Sequence, residues 1–126
     1  MIFKRIRIGR ILILLPVLAF LAFCERPTHN RLRLKAIKAE SRLLMATYPM
    51  RPQLVWADLP QSHLPPAIAS LRPEFVIVDS QRVSIVTKPF FDGGWGYEIP
   101  RNRGDLSMPA GCYSELAEGV YWHGPC

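Results

Sequence analysis

The C-terminal region holds the side chains that could do chemistry at a defined spacing. His123 lies between two cysteines in the pattern Cys112-x10-His123-x2-Cys126. A reduced Cys112 with His123 as its base would form a cysteine nucleophile, which also needs a third group that orients the base. A structural zinc site normally takes four ligands in tight pairs, which this stretch does not supply. In an oxidising compartment the spacing instead favours a disulfide between Cys112 and Cys126.

Two acids near predicted strand and loop positions offer a second kind of chemistry. Paired-carboxylate catalysis needs two carboxylates a few ångströms apart, and Glu98 and Asp105 are candidates. Glu98 alternates with Tyr97 along one strand pattern, so we expect its side chain to face water. The sequence assigns no catalytic residue, no cofactor and no metal ligand.

Aromatic residues are concentrated near the C-terminus, with 7 of the 13 in the last 37 residues. One interpretation is a face that binds a sugar, glycan or peptide, formed by Trp95, Tyr97, Tyr121 and Trp122. The other is that a small domain uses its aromatic residues as its core. The glycine-rich stretch 91–96 lies between two strand patterns and lacks a lysine, so it predicts a turn or bulge rather than a phosphate cradle.

The elements that must position these residues follow from the apolar pattern. Runs of β-branched residues at 75–78 and 83–87 flank a short polar break, which predicts an antiparallel hairpin. Further strands are predicted at 95–99 and 119–123, with a loop at 100–111. Six prolines make 49–73 a stiff connector that carries an edge strand at 53–57 and a helical turn at 66–71. Apolar Trp56 and Leu59 predict that this connector wraps against the domain.

A basic amphipathic helix is predicted upstream, from residue 30 to residue 47. Its apolar face carries Leu34, Ile37 and Leu44, Pro49 ends it, and Thr28 or Asn30 could cap it. Its other face carries four cations: Arg31, Lys35, Lys38 and Arg42. The helix either packs on the domain with its basic face in solvent or rests on anionic lipid.

The pattern of the N-terminal residues predicts a targeting segment. Four cations, Lys4, Arg5, Arg7 and Arg10, precede an apolar run of 13 residues from Ile11 to Phe23. At helical rise this run reaches only about 20 Å against about 30 Å of hydrocarbon. Pro16 interrupts it, so a secretory signal is favoured over a permanent span.

Three fates of this segment remain open. Leu21-Ala22-Phe23-Cys24 resembles the lipobox of bacterial lipoproteins, which implies lipidation of Cys24, although Phe23 stands where that family has a small residue. Alternatively, a signal peptidase cleaves after Cys24, and the mature chain begins at Glu25. The third possibility is an uncleaved signal anchor.

Charge is distributed unevenly along the chain. The first 51 residues carry 11 Lys and Arg against 2 Asp and Glu, whereas residues 52–126 carry 5 against 8. The net charge of +6 therefore belongs to the head and one helix, and the domain lacks the basic patch of a nucleic-acid-binding fold. Cations on both sides of the apolar run leave open a cytoplasm-facing orientation, but the basic head favours export.

The expected architecture is α+β, with the chain divided into four segments. These are a signal peptide or membrane anchor (1–24), a basic amphipathic helix (25–48), a proline-rich connector (49–73) and an antiparallel β domain of three to five strands (74–126). We expect an exported, membrane-associated or periplasmic module that binds another protein or envelope component without catalysis, with the membrane contacted through 1–24. The alternatives are a small envelope enzyme acting on a glycan or peptide through Glu98, Asp105, His123 or Cys112, and a cytoplasm-facing anchored protein.

Overall fold

The structure, a computed structural model, describes Pro16 and residues 25–47, 57–91 and 93–126. In chain order the elements are helix α1 (Arg31–Thr47), strand β1 (Ala57–Asp58), helix α2 (Pro66–Ser70) and strands β2 (Phe75–Val78), β3 (Arg82–Phe90), β4 (Gly93–Pro100), β5 (Tyr113–Ala117) and β6 (Val120–His123). An α+β fold with a small antiparallel sheet is confirmed. The predicted signal or anchor helix, Cys24 and Trp56 lie outside the described residues. Within the described part of the chain, no helix is long and apolar enough to cross a membrane.

The sheet has the strand order β1-β2-β3-β4-β6-β5, and all of its neighbours are antiparallel. The two-residue strand β1 forms one edge, and five longer strands make up the rest. At Gly96 the backbone of β3 comes so close that an added Cβ would lie 2.2 Å from the carbonyl oxygen of Ile85.

Helix α1 covers one face of the sheet and forms the core with it. Asn30 caps the helix, since its Oδ1 accepts a hydrogen bond from Arg33 N at 3.1 Å. Leu34, Ile37 and Leu44 are buried in one cluster with the β-branched residues of the sheet. The predicted amphipathic helix thus packs its apolar face on the domain.

The connector contributes to the same core through Leu59 and Ile68, which are 4% and 0% exposed. The short helix α2 is held at both ends by α1. Glu40 accepts hydrogen bonds from Ala67 N and Ile68 N at 2.8 and 2.9 Å, which places negative charge at the start of α2. Arg33 donates to the Ser70 carbonyl oxygen at 2.8 Å, near the end of that helix. Residues 57–73 are therefore integral to the fold.

Candidate functional site

Glu98 was expected to face water, and the structure contradicts that expectation. Its side chain is 1% exposed, in the middle of β4. The register pairs Glu98 with Ser84 on β3 and with Tyr121 on β6, so it lies on the sheet face opposite Tyr97, as its alternation requires. That second face is covered locally by the segment between β4 and β5. The alternation of side chains along β4 correctly predicts the face on which Glu98 lies. The side chain is nevertheless buried, because a loop from farther along the chain covers that face.

The Glu98 carboxylate accepts hydrogen bonds from three groups. Ser107 N and Ser107 Oγ donate at 2.8 and 2.9 Å, and the Tyr113 hydroxyl donates at 2.7 Å. Arg82 Nε lies 3.4 Å from Glu98 Oε1 and supplies the compensating positive charge. A buried carboxylate needs such partners, because removing it from water is expensive unless it is paired and hydrogen-bonded. We call these four residues the Glu98 network: Arg82, Glu98, Ser107 and Tyr113.

The Glu98 network fastens the segment 101–112 to the sheet. Arg82 Nε also donates to the Asp105 carbonyl oxygen at 2.6 Å, and Met108 N donates to the Tyr113 hydroxyl at 3.1 Å. Burial, as the largest effect, raises the pKa of Tyr113 above its usual value, while its hydrogen bond with Ser107 lowers it. The network therefore acts as the internal anchor of a loop.

Cys112 and Cys126 lie at disulfide distance, as the sequence predicts, with Cα atoms 5.9 Å apart. The bond ties the end of this loop segment to the C-terminus. A bonded Cys112 has no thiol, so the cysteine mechanism with His123 as base is excluded in this state. The His123 ring instead packs edge-on against Tyr113, with ring centroids 5.6 Å apart.

The four aromatic residues expected to form a ligand face are divided between locations. Tyr97 and Trp122 are paired across β4 and β6, with ring centroids 4.9 Å apart, and Tyr97 is 2% exposed in the core. Tyr121 lies on the opposite face of the sheet, where it contacts Tyr113 and is 8% exposed. Trp95 lies toward the Gly93 end of β4. The structure does not bring the four together on one open surface.

An aromatic surface does exist at the turn between β3 and β4, and sequence reasoning missed it. Phe91 is 92% exposed and Phe90 is 36% exposed, and their rings contact each other edge-on at 4.6 Å. Phe90 also contacts Trp95, with ring centroids 5.6 Å apart. We call Phe90 and Phe91 the aromatic tip. The available signal was two adjacent phenylalanines directly before a glycine-rich turn.

The backbone at the aromatic tip is unfavourable for the residue that occupies it. Phe91 has φ of 49°, in the left-handed region, where a bulky side chain is uncommon. This conformation costs about 1–2 kcal/mol for a residue that carries a Cβ. Strained positions of this kind cluster at binding and catalytic sites. Among the described residues, the large hydrophobic side chain with the highest exposed fraction is thus held in a backbone conformation that glycine would adopt more easily.

A groove of about 430 Å³ adjoins the aromatic tip. Its lining comes from the tip, from the loop segment and from the C-terminus: Phe90, Phe91, Gly93, Gly94, Met108, His123, Gly124, Pro125 and Cys126. Among the described lining residues, His123 is the only one with a polar side chain. The groove is therefore apolar in character and lies against the disulfide.

The groups suggested for an enzyme are not assembled into one site. Glu98 is used by its network, Asp105 Oδ2 accepts from Asn102 N at 3.2 Å, and His123 Nδ1 lies 3.2 Å from the Gly124 carbonyl oxygen. Among the described residues, no hydrogen bond joins any two of Glu98, Asp105 and His123. The same residues contain no group of three or more His, Cys, Asp or Glu side chains that could hold a metal ion.

Comparison of the chain with protein-family models, with curated proteins and with solved structures finds no match. The function must therefore be argued from the geometry above.

Proposed function

We propose that this protein is an exported, membrane-associated module that binds a partner protein without catalysis and that the aromatic tip is its contact site. The observation that carries the proposal is the 92% exposure of Phe91 beside an apolar groove. Aromatic side chains that fill or flank a pocket are the usual energetic centres of protein interfaces. The proposed partner presents an apolar segment that covers Phe91 and enters the groove.

The composition of the groove favours a protein partner over a glycan. Sugar recognition combines an aromatic platform with several convergent polar groups. Here Met108, Pro125 and the two phenylalanines dominate the lining, and His123 is the principal polar side chain. An apolar peptide surface satisfies such a groove better than a polyhydroxylated ligand.

The covalent framework supports a preformed contact site. The Cys112–Cys126 disulfide holds the C-terminal side of the groove, and the Glu98 network holds the loop that carries Met108. Preorganised surfaces lose less conformational entropy on association. A disulfide at this position also fits the proposed export, because such bonds persist in oxidising compartments.

The experiment is photocrosslinking in cells from the position of Phe91. The variant Phe91→p-benzoylphenylalanine keeps an aromatic side chain at the tip, and the matched control carries the same group at Gln81, an exposed position in the β2–β3 turn. We expect a discrete protein adduct from position 91 and none of that size from position 81. The adduct should disappear when Phe90→Ser is added, because the two rings form one surface.

Adducts to lipid from position 91 would contradict the proposal by making the tip a membrane contact. Equal adducts from positions 91 and 81 would contradict it as well, since they would show no preferred surface.

A further inference from the structure

A second surface, distant from the aromatic tip, carries a row of cations. On α1 the spacing of Arg31, Lys35, Lys38 and Arg42 places them on one side of the helix, over about 16 Å at helical rise. Lys38 and Arg42 line a groove of about 330 Å³, together with Arg101 and Arg103 from the loop after β4. We call these six residues the cationic stripe: Arg31, Lys35, Lys38, Arg42, Arg101 and Arg103.

The cationic stripe takes no part in the salt bridges of the described residues, although Arg103 interacts with Tyr121 and Glu115. The ion pairs formed among the described residues are those of Arg82 with Asp79 and with Glu98, and the stripe takes part in neither. The acid of α1, Glu40, is directed to the start of α2. Five of the six cations are exposed, and Lys38 is half-buried.

Two acids, Glu115 and Glu118, line the same groove and only partly offset this charge. Tyr121, as the largest effect, and then Glu115 raise the pKa of the exposed Arg103 guanidinium. The stripe therefore keeps six cations against two nearby carboxylates, on a protein whose residues 52–126 are otherwise acidic.

Exposed leucines accompany the cations on α1. Leu32 is 81% exposed and Leu43 is 66% exposed, and both lie beside the stripe on the helix surface that faces away from the sheet. Such a combination of basic and apolar residues is typical of helices that lie in a membrane interface. A soluble acidic partner would account for the cations but not for the leucines.

The proposed membrane association would bring the start of α1 close to the bilayer. The apolar run ends at Phe23, and α1 begins at Arg31. Eight residues span about 28 Å at most, so an embedded or lipidated N-terminus keeps the start of α1 within that distance of the bilayer. The cations that line the 330 Å³ groove lie near the Pro100 end of β4, whereas the aromatic tip lies near its Gly93 end. Eight strand residues separate these ends by about 25 Å.

We propose that the cationic stripe, with Leu32 and Leu43, docks α1 on an anionic phospholipid bilayer. The occupant is the lipid surface itself, with phosphate headgroups against the arginine and lysine side chains and the leucines at the acyl boundary. The aromatic tip, at the other end of β4, takes no part in this contact. This inference rests on the proposed membrane association but not on the partner proposed for the tip.

The test is hydroxyl-radical footprinting of the full chain in lipid nanodiscs, read by mass spectrometry at Leu32 and Leu43. Discs of phosphatidylcholine alone are compared with discs that contain phosphatidylglycerol at about one lipid in three. We expect the oxidation rate of both leucines to fall at least about threefold in the anionic discs and to recover in high salt, because salt screens the attraction. Oxidation of Phe91 should be equal in both discs.

Two matched variants distinguish binding through the cationic stripe from the nonspecific attraction of any basic protein to anionic lipid. Lys35→Gln with Arg42→Gln removes two exposed cations of the stripe, and Arg26→Gln with Arg72→Gln removes two exposed cations that line the opposite flank of α1. The stripe variant should weaken docking roughly 30-fold and abolish the protection, since each cation near an anionic lipid surface strengthens binding by a factor of about five. The flank variant should retain the protection.

Three results would overturn the proposal. The first is equal oxidation of the leucines in both kinds of disc, and the second is equal loss of protection in both variants. The third is protection by added duplex DNA but not by phosphatidylglycerol, which would assign the stripe to nucleic acid.

Discussion

The Glu98 network and the aromatic tip contain opposite kinds of residue in opposite environments. Glu98 is a carboxylate beside a serine, a tyrosine and an arginine, yet it is 1% exposed and every partner belongs to the fold. Phe91 is a hydrophobic residue, yet it is 92% exposed in an unfavourable backbone conformation. The Glu98 network contains residue types that are common in active sites, but it stabilises a loop. Phe91 is of a type that is common in cores, but it is exposed to solvent. Our proposal therefore rests on exposure, rather than on residue type, to locate the contact site.

The largest effect should come from removing the carboxylate of the network. Glu98→Ala removes the buried acceptor of three hydrogen bonds, from Ser107 N, Ser107 Oγ and the Tyr113 hydroxyl, and takes one of two carboxylates away from Arg82. A hydrogen bond to a charged group contributes about 1.5–3 kcal/mol, so losing three such bonds together should cost about 3–5 kcal/mol. We expect the free energy of unfolding, measured in urea, to fall by that amount.

Glu74→Ala is the matched control, because Glu74 is an exposed acid at the start of the preceding hairpin. A loss below about 1 kcal/mol for Glu98→Ala would mean that the network does not stabilise the loop.

The disulfide should have the next largest effect. Replacing Cys112 and Cys126 together by serine opens a loop with a sequence separation of 14. The loss of unfolding free energy should be about 3 kcal/mol, because the open chain gains conformational entropy when unfolded. Calorimetry of the oxidised protein with and without a reductant gives the same comparison without substitution. An unchanged melting temperature after complete reduction would contradict this account.

Alkaline pH should destabilise the fold through Tyr113 of the Glu98 network and through Tyr97 of the core. Burial raises the pKa of Tyr113 and of Tyr97 above the usual value of 10.0. Above pH 10 the unfolded chain has lost these protons while the folded chain still holds them, so stability falls as the pH rises from 10 toward the folded pKa. The slope is at most about 1.4 kcal/mol per pH unit for each tyrosine.

Urea unfolding between pH 9 and pH 11 measures this slope. Tyr97→Phe and Tyr113→Phe should each reduce it, whatever their effect on stability at pH 9. A slope that is the same in both variants as in the unaltered protein would show that these tyrosines do not cause it.

The smallest effect should appear at the tip and should have the opposite sign. Phe91→Gly relieves the left-handed conformation and removes a side chain that packs on little besides Phe90. We expect the free energy of unfolding to rise by about 1 kcal/mol. The rise is smaller than the full relief of strain, because glycine also increases the conformational entropy of the unfolded chain. A substantial loss of stability would mean that Phe91 is a structural residue and would remove the support for a contact site.

Local patterns in the sequence predict much of the fold. Leu34 and Ile37 at helical spacing, with Pro49 beyond, are enough to place α1, and the two β-branched runs around Asp79 are enough to place the β2–β3 hairpin. Strand β5 was not predicted. Its Tyr113–Ala117 sequence has little β pattern, and it becomes a strand because it pairs with β6.

The candidate site is harder to predict because it depends on contacts between distant residues. The burial of Glu98 depends on Ser107 and Tyr113, which lie 9 and 15 residues away. The exposure of Phe91 depends on the absence of any cover, which no local pattern encodes. The cysteine pair was predictable from its spacing near one terminus, on the expectation of an oxidising compartment.

The most direct test of the central claim measures binding and stability together in two variants. The double variant Phe90→Ser, Phe91→Ser alters the tip, and Glu98→Gln alters the network while keeping its shape. Binding is measured with the partner identified by crosslinking from position 91, at a temperature where both variants are folded by circular dichroism. We predict that the tip variant loses binding at least about tenfold with little change in unfolding free energy, because interface centres carry about 2 kcal/mol or more. Glu98→Gln should lose stability but bind within about twofold of the unaltered protein. The opposite pattern, with binding lost in folded Glu98→Gln and kept in the tip variant, would contradict the account.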